Sequence, residues 1–146
     1  MIIAPIKKEI LLVKEILPLY RKFEKYDCMS DSDLGDFLLP SLYLDQFAKH
    51  YYHNELVGFT NWALLSNEAH DFCFRNGVID PRDWNSGPHV WHMETIATGF
   101  LKDIMTWTKR NLVTKFGVGK VINWLRNDND LNIIRRSKIK TKESWL

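Results

Sequence analysis

The run from His89 to Arg126 constrains the fold more than any other part of the chain. His89 to Ala97 reads as a strand, and Gly99 to Phe116 carries apolar residues at 100, 101, 104, 105, 112 and 116, the spacing of an amphipathic helix. Lys120 to Arg126 reads as a strand again. Strand, helix, strand in that order predicts a right-handed crossover into parallel pairing. Upstream, Gln46 to Tyr52 and Leu56 to Leu64 are β-branched and aromatic-rich and flank the turn-prone His53, Asn54 and Glu55, which predicts an antiparallel hairpin. A hairpin joined to a crossover gives an α/β (α+β) fold, a mixed sheet flanked by helices.

The remaining segments fill in around that sheet. Ile10, Val13, Ile16, Leu17, Tyr20 and Phe23 predict a helix over residues 7–25, kinked or split at Pro18, whose ring removes a helix hydrogen bond. A second helix is expected through Leu42, with Ser32 as its N-cap and Pro40 limiting its regularity. Asn67 to Phe74 predicts a short helix stopped at Asn76-Gly77, and Ile79 to Pro88 is loop chemistry. With no internal repeat in 146 residues, one domain over 1–146 is the expectation, with a further short strand or tail after Arg126.

Charge is distributed unevenly. Residues 1–108 carry 10 basic and 15 acidic side chains, a net −5, and residues 109–146 carry 10 basic and 3 acidic, a net +7. The basic tail, about 135–146, favours an acidic partner: an acidic protein, an anionic surface or nucleic acid. A solvated terminus explains it equally well, and no basic–aromatic RNA motif accompanies it, so nucleic acid is the weaker choice. Cys28 and Cys73 stand far apart, outside any CxxC pair, and read as free thiols of a reducing compartment. Lys7, Lys8, Glu9, Lys14 and Glu15 interrupt the N-terminal apolar run, so neither a signal peptide nor a membrane span is expected, and the expected location is the cytoplasm.

Leu39-Pro40 followed by Val57 to Ser66 (VGFTNWALLS) resembles an "LP … VAxxSWAxLS" pattern. Asp83-Trp84, Ser86-Gly87, Trp91, Ala97 and Gly99 resemble a "DWxSGxxxW…A" loop and strand, and Val121 to Asn127 is similar to a late strand ending on an Arg. These are motifs of the RTX toxin-activating lysine acyltransferases, and the match covers roughly 90 of the 146 residues. The resemblance implies an acetyltransferase-like fold. It implies transfer of a fatty acyl group from the phosphopantetheine thioester of acyl carrier protein to a protein lysine, with no tightly bound cofactor, and it implies a homodimer. It implies Glu94 at the position of a catalytic Asp, and Ser86, Gly87, Trp91 and Arg126 as substrate-binding positions. The family's N-terminal His has no counterpart, because no His precedes His50 and counting back from Leu39 lands near Tyr26 to Cys28. A family Asn falls at about Phe37.

The strand His89 to Ile96 offers its own chemistry. In a regular strand His92 and Glu94 share one face and Trp91 and Met93 the other. Their Cα atoms would lie roughly 7 Å apart, close enough for both to reach one amine, with His92 as base and Glu94 orienting it or acting directly. Equally, both could sit on a polar sheet face or be paired structurally. The five His residues show no zinc spacing, so no metal site is expected. Cys28 could carry an acyl group as a thiolate, although a small buried thiol is the commoner role. ATGFLKD, opening the helix after Gly99, lacks the Gly-rich pattern that cradles a pyrophosphate, which favours a carrier-protein donor over coenzyme A. Arg126 could meet the carrier's phosphate or pair with Asp128. Two rivals remain: a binding module on the same fold that has lost catalysis, and an enzyme using His92 on a small amine.

Overall fold

The computed structural model describes residues 3–146, with side chains from Lys8 onward. Helix α1 spans Ile3–Tyr20, and Pro18 falls in its last turn, where it ends the helix rather than splitting it. Residues 24–26, expected to continue that helix, form a 3-10 turn instead. Helix α2 spans Asp31–Tyr43; its cap is Ser30, whose hydroxyl accepts from Asp33 N–H at 3.0 Å, so Ser32 lies inside the helix. Strands β1 (Phe47–Tyr52) and β2 (Glu55–Leu65) form the hairpin. Its turn residues His53 and Asn54 both have positive φ, 47° and 64°, the backbone of a type I′ turn that suits right-twisted strands.

Helix α3 (Asn67–Asn76) is capped by Ser66 and closed by Gly77 at φ 73°. Strand β3 (His89–Ala97), helix α4 (Leu101–Phe116) and strand β4 (Val121–Asn127) make the strand–helix–strand unit. Strand β5 covers Ile133–Lys140, so most of the basic run lies in the sheet rather than in a loose tail. The sheet order is β1-β2-β3-β4-β5, antiparallel except for the parallel pair β3/β4. This is the mixed sheet of an α/β fold.

Strand β2 divides the core by simple alternation. Phe59, Asn61, Ala63 and Leu65 face α1, α2 and α3; Gly58, Thr60, Trp62 and Leu64 face α4. Helix α1 buries Ile16, Leu19 and Tyr20 against Phe59 and Ile96, and α3 covers Ala63, Leu65 and Trp91. On the other face α4 lays Leu112 over Val90 and Ile122. Gly58 admits α4 to the sheet, because a methyl there would stand 2.5 Å from Ile104 Cδ1. Arg136 of β5 donates to the Phe74 and Arg75 carbonyls at 2.6 and 3.3 Å, tying the sheet edge to the C-terminal end of α3. Among the described residues no helix is long and apolar enough to cross a membrane.

Candidate active site

The parallel strands β3 and β4 pair only at Val90–Ile122 and Trp91–Asn123, then part. Between the separated halves opens a cleft of about 510 Å³, bounded by His92–Thr95, Trp124–Asn127, Leu101 and Met105 of α4, and Lys25. Beyond Trp91 the edge of β3 facing β4 has no ladder partner, so backbone groups on that edge face the opening.

At the same place β3 departs from regular alternation. Asn61 pairs with Glu94 and Trp62 with His92, so Met93 is an extra residue, a β-bulge. The bulge shifts the phase of every side chain after it. His92 therefore falls on the α4 face and Glu94 on the face of α1 and α2, contrary to the shared face expected of a regular strand. The His92–Glu94 pair read from the sequence does not form. His92 instead places Nε2 2.6 Å from Thr95 Oγ1 and packs edge-on to Trp124. Burial holds its pKa down at about 4, so the ring is neutral near pH 7.

Glu94 has a different partner. The Tyr26 hydroxyl donates to its carboxylate, lying 2.8 Å from Oε1 and 3.0 Å from Oε2. Burial raises the Glu94 pKa above the ordinary carboxylate value, while the Tyr26 bond and the positive charge of Lys25 pull it back. Tyr26 is itself buried, and desolvation together with the neighbouring carboxylate keeps its proton tightly held, so it acts as a donor and not as a phenolate. Arg21 fixes the turn that carries Tyr26: its guanidinium donates to the Tyr26 and Met29 carbonyls at 3.1 and 2.8 Å and to Asp31 at 2.6 Å. Tyr20 packs edge-on to Tyr26, with ring centres 4.8 Å apart. Tyr20 Oη and Asn61 Oδ1, of the residue paired with Glu94 on the neighbouring strand, are buried without a partner among the described residues.

The chain matches the model of the RTX toxin acyltransferase family over residues 7–140. It belongs to that family. A lysine-acyltransferase, RtxC, of Vibrio cholerae is 31% identical over 93 residues, covering 60% of this chain and 55% of the relative. An uncharacterized protein of Synechocystis is 28% identical over 114 residues, covering 75% of this chain and 73% of the relative. The chain thus spans about half the length of RtxC and nearly three quarters of the cyanobacterial protein.

Of the candidate positions read from the sequence, the structure brings Glu94, His92 and Arg126 to the cleft. Ser86, Gly87 and Trp91 are absent from its lining and hold the neighbouring helix in place. Ser86 Oγ accepts from Ser66 N–H at 2.9 Å and donates to the Asp83 carbonyl at 2.7 Å. Gly87 packs so closely on that junction that a methyl would lie 2.5 Å from Ser66 Cα. Trp91 donates from Nε1 to His70 Nδ1 at 2.9 Å beneath α3. Arg126 makes no ion pair with Asp128 among the described residues; Asp128 instead accepts from the backbone N–H groups of Asp130 and Asn132. Cys28 is exposed and Cys73 is buried, where desolvation pushes its pKa up to about 12. Sequence reasoning missed Tyr26 as the partner of Glu94. The only signal for it was the count back from Leu39-Pro40, which ends near Tyr26.

Proposed function

We propose that the protein is an acyltransferase that moves an acyl group from the thioester of an acyl carrier protein to a lysine amine, with Glu94 as general base. The observation that carries this reading is that Glu94, held by the Tyr26 hydroxyl, is part of the lining of the β3/β4 cleft. A carboxylate made more basic by burial is better matched to taking a proton from an incoming ammonium near neutral pH. Tyr26 holds that carboxylate in one orientation and restrains its proton affinity. The acyl thioester lies along the cleft, and unpaired N–H groups on the β3 edge receive the oxygen of the tetrahedral intermediate.

The donor reading draws on charge. Arg126 at the cleft lies directly across the ladder from Arg135 of β5, and neither has a carboxylate within 4 Å among the described residues. Like charges directly opposite on a sheet repel, and a phosphate group between them relieves the repulsion. A phosphopantetheine arm supplies such a phosphate, and an acidic carrier suits the +7 segment that includes β4 and β5. No tightly bound cofactor is needed.

The rival is a binding module that kept the fold and lost the reaction. It is favoured by one observation, that among the described residues no imidazole hydrogen-bonds the Glu94 carboxylate, whose partner is the Tyr26 hydroxyl. Thiol release from octanoyl-loaded acyl carrier protein, measured with a lysine peptide as acceptor, separates the two. Turnover that disappears in Glu94→Gln supports the enzyme. Carrier binding with no turnover in the parent protein refutes it in favour of the module.

A further inference from the structure

The cleft contains an amine of its own. Lys25 is the one lysine among the residues that line it, on the turn that also carries Tyr26. It is half-buried, and among the described residues no carboxylate lies within 4 Å of its ammonium. By contrast Lys22, at the other end of the same turn, reaches Glu55 at 3.7 Å. Lys25 Nζ stands 5.7 Å from the centre of the Tyr26 ring, the ring whose hydroxyl binds Glu94. Its charge is felt at the Glu94 carboxyl. The Arg21 clamp holds the backbone on the C-terminal side of Lys25 through the Tyr26 and Met29 carbonyls.

We infer that Lys25 is an acyl acceptor, so that the protein acylates its own Nζ from the thioester donor and closes its cleft with the attached chain. This rests on the acyl-transfer reading above. Glu94 takes one proton from the Lys25 ammonium, and the free amine attacks the thioester carbonyl. As the intermediate collapses, the new N–C bond remains, the C–S bond breaks and the nitrogen loses its second proton. The products are an amide, a free thiol and one proton released to solvent. The amide is stable to the next round of chemistry, so the modification is a terminal, self-limiting event and not a covalent intermediate. It also removes a positive charge beside Glu94 and lays an apolar chain along Met93, Leu101, Met105 and Trp124.

The test uses the full chain incubated with octanoyl-loaded acyl carrier protein, with and without a lysine peptide, followed by intact mass and peptide mapping. The expected result is one octanoyl adduct per chain on Lys25, resistant to hydroxylamine as an amide is, absent from Lys25→Arg and slowed at least tenfold in Glu94→Gln. Transfer to the peptide with Lys25 unmodified overturns this inference and leaves the acyltransferase reading standing. Adducts spread over exposed lysines, or an unchanged rate in Glu94→Gln, overturn it as ordinary chemical acylation. Absence of any thiol release overturns both.

Discussion

Tyr26→Phe removes a single oxygen atom, and its effect follows from where that oxygen lies. The hydroxyl sits 2.8 and 3.0 Å from the two carboxylate oxygens of Glu94, a hydrogen bond that favours the charged form. Hydrogen bonds to charged groups contribute about 1.5–3 kcal/mol. Losing this one raises the Glu94 pKa further above the ordinary carboxylate value. Burial has already raised that pKa, so the further rise carries it toward neutrality. A general base must be unprotonated to act, so the acid limb of the kcat/KM–pH profile moves to higher pH, by an amount set by the lost ~1.5–3 kcal/mol. The loss of activity is then about 10- to 100-fold on the acid side of the limb and small at alkaline pH. The assay is thiol release from the acyl-carrier donor between pH 5 and 9, with the titration of Glu94 followed independently by NMR. A uniform fall in rate at every pH, with the limb unmoved, would refute the reasoning: Tyr26 would then act by shape, or Glu94 would not be the base.

Stability carries two further expectations. The folded state holds a proton on Glu94 more tightly than the unfolded chain does, so the associated stability is full below about pH 4.5 and is lost as pH rises through the raised folded pKa. Glu94→Gln, uncharged at every pH, therefore raises the melting temperature relative to the parent at pH 8, and this gain vanishes at pH 4; equal shifts at both pH values would contradict it. Gly87→Ala forces a methyl within 2.5 Å of Ser66 Cα and 2.7 Å of the Leu65 carbonyl, both backbone. A urea midpoint corresponding to a loss of about 3 kcal/mol is expected, whereas an unchanged midpoint would mean that the junction yields easily.

The architecture was legible where local chemistry dictates it. Asn54 tolerates positive φ, so the hairpin announced itself, and Asn76-Gly77 marked the end of α3 where the αL cap occurs. The β3–α4–β4 unit followed from periodicity alone. The site was less legible because its key features are non-local. Met93 becomes a bulge only through its register against Asn61 and Trp62, some thirty residues earlier, and nothing in HVWHMETIA distinguishes a bulged strand from a regular one. Tyr26 meets Glu94 across a sequence separation of 68, and a tyrosine after Glu24-Lys25 carries no local mark of that partner. The basic run RRSKIK reads as a tail by composition. It becomes a strand because β4 offers an open edge.

The bulge at Met93 also determines how this site can change over time. By placing His92 and Glu94 in different layers, it makes the two sides of the cleft separable traits. The turn between α1 and α2 reaches Glu94 through Tyr26, whereas α4 covers the face that His92 takes and lends Leu101 and Met105 to the cleft wall. Under the proposed acyl transfer, the proton-accepting group and most of the apolar wall thus sit on different elements around one small sheet. The residue that holds the carboxylate can change without rebuilding the apolar wall of the cleft.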